Sequence, residues 1–173
     1  MKILILGGSS FIGRYYLQFS KLSNLLTSTR KKKRKLLFDI NKHDINKIIE
    51  KHKITHLVFL LAISNPLECQ KQKKKSNLVN VIMTKKIINI LLKKKIYFIF
   101  FSSEYVFDGT KGNYSETSKK KPKLLYGLQK LSIEKYLNKK KNKNFSVLRI
   151  SKTFGDNIND KSIFTNFLKN NFK

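Results

Sequence analysis

The amino-acid sequence predicts an α/β protein with a doubly wound parallel sheet and helices on both faces. Three observations predict this fold class. Short, continuously apolar segments alternate along the chain with segments whose apolar residues recur at helical spacing. The strand segments are apolar on both faces, which is typical of a parallel sheet covered on both sides. A glycine-rich turn follows the first strand segment, and right-handed crossovers then favour the doubly wound topology.

The predicted elements form one uninterrupted series. Predicted strands cover residues 3–6, 25–28, 36–38, 56–63, 96–101 and 145–150. Predicted helices cover residues 11–22, 43–52, 76–92 and 124–138, and a last helix begins at 163–168. No internal repeat or Pro/Gly-rich linker separates them, and 173 residues suffice for one domain but not for two ordinary ones. We therefore predict a single domain over residues 1–173.

The chain is strongly basic, with 38 Lys and Arg against 10 Asp and Glu and a formal charge of +28. Such a charge suggests a polyanionic partner, but only four of the cations are arginine, the better ligand for phosphate. Lysine runs lie between the apolar segments, as solvated loops and helix ends do, at 31–35, 73–75, 93–95, 119–121 and 139–141. With one alanine and no tryptophan, a genome biased toward AT-rich codons explains the charge at least as well as a nucleic-acid partner does.

Several classes of protein are excluded by simple counts. Cys69 is the only cysteine, which rules out an internal disulfide and argues against a structural zinc site, so no metal is predicted. The longest apolar runs, 57–63 and 96–101, are far shorter than the ~20 residues of a membrane span. The first residues lack the long apolar stretch of a signal peptide. The prediction is a cytoplasmic protein without a membrane partner.

A glycine-rich turn, residues 7–13, joins the first predicted strand to the first predicted helix. Gly7 permits a tight turn, and Gly13 lets the helix approach the strand closely. Backbone N–H groups between them would face a pyrophosphate at the helix N-terminus. The turn therefore predicts a dinucleotide site formed by Gly7, Ser9, Ser10, Phe11, Ile12 and Gly13. Ser10 stands where the middle glycine of the motif is usual, which leaves a plain strand–helix turn as the alternative.

The end of the second predicted strand distinguishes the two nicotinamide dinucleotides. An acidic residue there would bind the ribose 2′-hydroxyl of NAD. Here Thr29 is followed by Arg30 and three lysines, and cations suit the 2′-phosphate of NADP. We therefore favour NADP(H) over NAD(H), with Arg30 on the phosphate; the alternative is that this stretch is one more lysine run.

Three side chains predict carbonyl chemistry. Tyr126 and Lys130 are four residues apart at the start of a predicted helix, so both project from one face. Ser103 follows the strand predicted over 96–101, at the carboxyl edge where doubly wound sheets bind ligands. In a carbonyl reduction Ser103 would bind the carbonyl oxygen and Tyr126 would deliver the proton. Lys130 would lower the pKa of the phenol toward neutrality and hold the nicotinamide ribose.

These motifs together resemble the extended short-chain dehydrogenase/reductases, and within them the dTDP-4-dehydrorhamnose reductase branch. The matching stretches are residues 7–13, 39–40, 61–63, 80–81, 102–109 and 126–130. Of these, 102–130 is the most specific part, since Ser-Ser-Glu-Tyr-Val-Phe-Asp-Gly at 102–109 is close to the stretch typical of that branch. The resemblance implies NAD(P)H-dependent reduction of a nucleotide-sugar ketone on a Rossmann fold.

The resemblance also implies roles for further residues. The adenine of the cofactor would lie along Asp39 and Ile40, and the cofactor cleft would be lined by Leu61, Ala62 and Ile63. Asn80 would orient its helix or a proton-relay water near Lys130, the alternative being a capping or surface asparagine. The substrate would contact Ser103 and Glu104, which replace the threonine and aspartate usual in the family.

Two departures from the family bear on the substrate. Lys152 stands where the family tends to have an aromatic residue against the sugar nucleotide. Family members also continue with a C-terminal substrate-binding portion, whereas this sequence ends at Lys173. We therefore expect a single NAD(P)-binding domain with that portion largely absent, and the identity of the nucleotide sugar is left open.

Three other functions stay open. A non-catalytic NADP-binding regulatory or partner-binding protein would use the same fold, and the regulatory subunit of methionine adenosyltransferase resembles this branch. An epimerase or dehydratase of the same superfamily is a close neighbour, although dehydratases usually add acidic residues beside the serine and Glu104 alone does not indicate one. Nucleic-acid binding requires a clustered basic face, and we rank it last because the lysine runs are dispersed in sequence. A homodimer or a partner subunit is compatible with each function.

Overall fold

The computed structural model describes residues 1–21, 23–29, 36–153 and 155. The strands of this part, β1 to β6, span Ile3–Leu6, Leu25–Thr29, Leu36–Leu37, His56–Phe59, Tyr97–Ser103 and Phe145–Ile150. The α-helices, α1 to α6, span Phe11–Phe19, Ile45–His52, Pro66–Lys71, Lys73–Asn77, Thr84–Lys93 and Leu125–Asn138. A π-helical segment, Leu78–Met83, joins α4 to α5, and a 3₁₀ turn, Glu104–Val106, follows β5.

The six strands form one parallel sheet in the order β3-β2-β1-β4-β5-β6. This order is that of the doubly wound Rossmann fold, in which the chain starts in the middle and winds outward in both directions. The predicted fold class is confirmed. The topology brings the carboxyl ends of β1, β4 and β5 side by side, and that edge is where such sheets bind ligands.

Continuous apolar runs make the central strands, and in β1 Ile5 on one face and Leu4 on the other are both fully buried. Leu4, Leu57, Phe98 and Phe100 are each at most 1% exposed. They pack with apolar side chains of α2, α5 and α6 in a single core cluster. Each large apolar side chain removed from water in this way contributes about 1.5–3 kcal/mol to stability. This packing therefore holds the helices against the sheet and sets the position of the carboxyl edge, where the cavity described below opens.

Helix starts follow signals that are legible in the sequence. The side chain of Ser10 accepts a hydrogen bond from the Gly13 N–H at 3.1 Å and so caps α1. Asp44 caps α2 in the same way, and Asn65 caps α3, whose first residue is Pro66. These caps satisfy N–H groups that have no partner within the helix. No helix in the described ranges is long and apolar enough to span a bilayer.

Several predicted boundaries are wrong. The strand predicted over 56–63 ends at Phe59, and a short helix over Pro66–Lys71 was not predicted. The predicted helix over 11–22 ends at Phe19, and the strand predicted over 96–101 continues through Ser103. The helix predicted over 76–92 begins earlier and contains the π-helical segment. The predicted start of a helix at 163–168 lies outside the described residues.

Candidate active site

The glycine turn after β1 has the geometry that a dinucleotide site needs. Gly7 has a φ of +91°, a conformation that side-chain-bearing residues rarely adopt. At Gly13 a Cβ atom would lie 2.8 Å from both the Gly7 carbonyl oxygen and the Gly8 Cα, so only glycine lets α1 approach the turn so closely. The first N–H groups of α1 consequently point to the carboxyl edge of the sheet. The turn fits a pyrophosphate, which binds favourably at helix N-termini.

A cavity of about 430 Å³ opens at this edge beside the turn. The predicted site residues that line it are Ser10, Phe11, Ile12, Ala62, Ser103, Glu104, Tyr126 and Lys130. The fold thus joins three distant stretches of sequence: the start of α1, the residues after β4, and the β5 and α6 residues of the catalytic motif. A cofactor at the glycine turn and a substrate at Ser103 would meet in one space.

The three candidate catalytic side chains are all buried at the wall of this cavity. Ser103, Tyr126 and Lys130 are each at most 7% exposed. Ser103 ends β5, and its Oγ accepts a 3.3 Å hydrogen bond from the N–H of Tyr105. Tyr126 and Lys130 lie one turn apart in the first half of α6, and the Lys130 Nζ is 5.6 Å from the centre of the Tyr126 ring. The Y-x-x-x-K spacing therefore does bring the two side chains together.

α6 can lie this deep because Gly127 follows Tyr126. A Cβ atom on Gly127 would be 2.0 Å from the carbonyl oxygen of Tyr105, well inside any tolerable contact. The ring of Tyr105 also packs edge-on against Tyr126, with centroids 6.0 Å apart. Because Gly127 has no side chain, the start of α6 can pack directly against the turn that follows Ser103.

The expected lowering of the Tyr126 pKa is wrong for this arrangement. Burial raises the pKa of the phenol above its ordinary value, and nearby Cys69 and Glu104 raise it further. The Lys130 Nζ bonds to the protein backbone instead of the phenol, donating a 2.6 Å hydrogen bond to the Phe101 carbonyl oxygen. Burial also lowers the pKa of Lys130 from 10.5 to about 8.

Glu104 brings an acidic group to the same cavity. Burial raises the pKa of its carboxyl group, against a smaller opposing effect of Lys152. Its Oε2 atom is buried and has no hydrogen-bond partner in the described part of the chain. A buried acceptor without a partner is costly, so this oxygen lacks a hydrogen bond that buried polar groups ordinarily have.

Asn80 lies in the π-helical segment and does not line the cavity. Its Oδ1 accepts from the Ile63 N–H at 2.8 Å, and its Nδ2 donates to the Ile63 carbonyl at 2.9 Å and to Gln129 Oε1 at 2.8 Å. Asn80 is 3% exposed, so the capping or surface alternative is wrong. These bonds take the chain out of the sheet after β4, which explains why that strand is shorter than predicted.

The network around Asn80 includes residues that sequence analysis missed. Gln129 Nε2 donates to Ser76 Oγ at 2.9 Å, and Ser76 Oγ donates to the Cys69 carbonyl at 3.1 Å. Cys69 itself is fully buried, which raises the pKa of its thiol. The sequence does contain a sign of Gln129: its amide directly precedes Lys130, on the side of the predicted helix that faces the protein interior. The network connects the loop at Ile63 to α6.

A second missed feature is a buried ion pair behind Ser103. Glu134 is 3% exposed and forms two 2.9 Å hydrogen bonds with the guanidinium of Arg149, a bidentate pair. Ser102 Oγ donates to the same carboxylate at 2.6 Å. The pair connects α6 to β6 and holds the end of β5 between them.

The other described residues that were predicted to bind the cofactor do not line this cavity. Ile40 is 5% exposed in the core, while the Asp39 N–H donates to His43 Nδ1 at 2.7 Å. Gly7, Ser9, Gly13, Leu61 and Ile63 are also not among the cavity-lining residues. Arg30, the residue predicted to bind a 2′-phosphate, lies outside the described residues. Leu60, Asn65, Tyr105 and Ile150 line the cavity without having been predicted.

Solved structures with the same architecture include sugar-nucleotide reductases. A hypothetical dTDP-4-dehydrorhamnose reductase from Sulfolobus tokodaii matches 91% of this chain and 58% of its own with a TM-score of 0.78 and 24% identity. The dTDP-4-dehydrorhamnose reductase from Bacillus anthracis, solved in complex with NADP, matches 91% of this chain and 57% of its own with a TM-score of 0.75 and 19% identity. At these identities the likeness demonstrates the fold.

Comparison at the level of sequence adds a relative and a family. Methionine adenosyltransferase 2 subunit beta from Xenopus laevis is 28% identical over 160 residues, which are 90% of this chain and 48% of the relative. The chain thus spans about half the length of the curated relatives it matches. The family model described as the RmlD substrate binding domain matches residues 1–172. Since that match covers nearly every residue, the chain belongs to this family of sugar-nucleotide reductase-like proteins.

Proposed function

We propose that this chain binds NADP(H) and reduces the ketone of a nucleotide sugar, with Ser103, Tyr126 and Lys130 as its catalytic residues. The observation that carries the proposal is the shared cavity, which is lined both by the N-terminus of α1 and by these three side chains. The N-terminus of α1 binds the dinucleotide and the three side chains polarise the substrate carbonyl. The hydride donor and its acceptor therefore meet in this cavity. When bound, the reduced nicotinamide supplies the hydride.

Tyr126 acts as the proton donor. Its raised pKa keeps the phenol protonated at neutral pH, so the proton is present when negative charge develops on the ketone oxygen. Ser103 Oγ binds the same oxygen and orients the carbonyl. Lys130, whose Nζ is 5.6 Å from the centre of the Tyr126 ring, would hold the nicotinamide ribose beside this proton donor.

Glu104 binds a hydroxyl of the sugar. Glu104 lines the cavity next to Ser103, and its Oε2 has no hydrogen-bond partner in the described part of the chain. A sugar hydroxyl donating to this oxygen satisfies a buried acceptor. Burial raises the pKa of the Glu104 carboxyl and favours its neutral form, so the same group is also the one that an epimerase or dehydratase would use as an acid.

The preference for NADP(H) depends on Arg30 and the lysines after it in the sequence. We further propose that residues 1–173 form one NAD(P)-binding domain. Asp39 and Ile40 on the adenine side, and Leu61 to Ile63 in the cleft, remain assigned to cofactor binding.

The test is a calorimetric titration of the chain with NADPH and with NADH, followed by turnover of dTDP-4-dehydrorhamnose monitored by loss of NADPH absorbance. Saturable one-to-one binding with NADPH the tighter ligand is expected. Tyr126→Phe is expected to lower turnover by at least about a hundredfold while leaving NADPH affinity nearly unchanged, because the lost group acts only in proton transfer.

The matched control is Tyr105→Phe. This substitution also removes a phenol hydroxyl from a ring at the same cavity, one whose centroid is 6.0 Å from that of Tyr126. It is expected to keep most of the turnover. Equal losses in the two variants would contradict the assignment of Tyr126 as the acid, and absence of NADPH binding would contradict the cofactor site.

The similarity to methionine adenosyltransferase 2 subunit beta supports a second candidate, a non-catalytic subunit that binds the dinucleotide and a partner protein. This function predicts NADPH binding without turnover. It also predicts that Tyr126→Phe has no effect beyond cofactor affinity, so the same experiment separates the two.

A further inference from the structure

The edge of the sheet opposite the cavity gathers lysines that are far apart in sequence. Helices α2, α5 and α6 end there, each just before the strand that follows it. Two lysine runs, 93–95 and 139–141, occupy the turns into β5 and β6. Because β5 and β6 are parallel neighbours, these two turns lie side by side. The fold therefore places together two runs that the sequence separates.

Hydrogen bonds fix the two turns against each other. Asn144 Nδ2 donates to the Lys95 carbonyl at 2.8 Å, and Asn142 Nδ2 donates to the Leu92 carbonyl at 3.4 Å. On the other side Lys94 Nζ pairs with Glu50 Oε1 at 2.8 Å, which connects the end of α5 to the end of α2. The surface is consequently continuous from α2 to β6.

We name this surface the lysine edge and define it by nine residues, Lys51, Lys53, Lys93, Lys94, Lys95, Lys139, Lys140, Lys141 and Lys143. Eight of the nine are exposed, and Lys140 is half-buried. Lys140 Nζ lies 4.1 Å from the centre of the Tyr136 ring, which holds this cation in place. Glu50 is the one carboxylate of the described residues that lies among them.

The distribution of carboxylates distinguishes this surface from a uniformly basic one. Six of the eight described Asp and Glu residues follow strand carboxyl ends, at the cavity side: Asp39, Asp44, Glu68, Glu104, Asp108 and Glu116. Glu134 is buried with Arg149. Biased codon usage adds lysine throughout a protein but does not by itself concentrate the carboxylates at one edge of the sheet. A cation at a helix C-terminus stabilises the helix by about 0.3–1 kcal/mol. Three consecutive lysines exceed what the helix end requires, and their charges repel one another.

We propose that the lysine edge binds the phosphate backbone of nucleic acid without reading its sequence. Lysine presents a point charge that suits phosphate oxygens, and the surface contains no arginine to read guanine edges. A lipid surface fits less well, because membrane-bound faces combine lysines with exposed apolar anchors. Of the exposed large apolar side chains in the described chain, Met1 and Phe19 lie at this edge, beside β1, and none lies in the two lysine runs. The nucleic acid thus binds at one edge of the sheet and the cavity remains open at the other.

The test compares two triple variants by fluorescence anisotropy with a labelled duplex of about 20 base pairs of arbitrary sequence, between about 50 and 200 mM salt. The first variant replaces Lys93, Lys139 and Lys141 by Gln. The matched control replaces Lys111, Lys119 and Lys121, which are exposed on the loop before α6 at the cavity side. Both lower the net charge by three, so they differ only in where the charge is removed.

The lysine-edge variant is expected to bind at least about tenfold more weakly at low salt and to lower the slope of log affinity against log salt by about two to three, since each phosphate contact contributes about 0.9. The control is expected to change both by little. Replacement of the same three edge lysines by Arg keeps the charge and is expected to restore the slope.

Three outcomes would overturn the proposal. Equal losses in the two Gln variants would mean that the charge acts without a defined surface. No binding of the duplex by the parent chain would exclude the partner. Binding to phosphatidylserine vesicles in the absence of duplex binding would assign the surface to lipid instead. Thermal unfolding of each variant establishes that the fold is retained, and NADPH titration is expected to be unchanged.

Discussion

The two edges of the sheet use the same residue types in opposite ways. At the cavity edge Lys130 is 5% exposed and donates to a backbone carbonyl, and Glu134 is 3% exposed in a bidentate pair. At the lysine edge Lys94 and Glu50 form a pair of the same charge type whose side chains are 31% and 59% exposed. Lysine and glutamate occur at both edges, and the two edges differ in how deeply these charged side chains are buried.

The physical reason is the cost of desolvating a charge. Water screens an exposed pair, so such pairs contribute about 0–1 kcal/mol. A buried charge has lost that hydration and depends on its partner, so its pKa and its contribution to stability both become sensitive to that partner. Three substitutions and one matched control measure this difference between the edges.

The largest effect is expected for Glu134→Ala. It leaves the half-buried guanidinium of Arg149 without its bidentate partner and Ser102 Oγ without its acceptor. Removal of one partner of a buried pair costs about 3–5 kcal/mol, to be measured as the free energy of unfolding in urea.

Glu116→Ala is the matched control for this change. Arg149 also bonds to Glu116, but through the backbone carbonyl, which the substitution retains, and Glu116 is exposed. Its cost is expected to be below about 0.5 kcal/mol. Similar losses in the two variants would mean that the pair at the cavity edge behaves as a surface pair.

An intermediate effect is expected from the titration of Lys130. Burial lowers its pKa in the folded chain to about 8, whereas the unfolded chain has the ordinary value of 10.5. Between these values the unfolded chain binds more protons at this position, so the Lys130 contribution to stability rises with pH. The free energy of unfolding of Lys130→Met relative to the parent is expected to fall by roughly 2–3 kcal/mol between pH 8 and 10. A difference that stays flat with pH would contradict the buried position of this ammonium.

The smallest effect is expected for Glu50→Gln at the lysine edge. Loss of the exposed pair with Lys94 is expected to cost less than about 1 kcal/mol and to disappear at about 1 M salt, where charges are screened within ~3 Å. Duplex affinity is expected to rise slightly, because a carboxylate is removed from the surface. A cost comparable to that of Glu134→Ala would erase the contrast between the edges.

Much of the fold was predictable because its signals are local. The apolar run of Ile3–Leu6, the cap at Ser10 and the glycine turn each depend on neighbouring residues. The end of β4 was not predictable, since it depends on hydrogen bonds from Asn80, 17 positions away from Ile63. The short α3 was missed although Asn65 and Pro66 are a legible helix start.

The candidate site divides in the same way. Ser103, Tyr126 and Lys130 were identified because their types and spacing are characteristic, and they line one cavity. Their assignment as catalytic residues stays a prediction. The pKa of Tyr126 was predicted in the wrong direction, because the sequence does not reveal how deeply the phenol is buried.

The sequence by itself determined the alternation of strands and helices, the glycine turn and the residue types available for chemistry, since these follow from spacing along the chain. The tertiary structure decided which of those residues are buried and which are exposed to solvent. Lys130 became a buried neighbour of Tyr126, while the runs at 93–95 and 139–141 met on the opposite edge through parallel pairing of β5 and β6. Desolvation and proximity between distant segments are properties of the packed chain, so no local pattern could specify them.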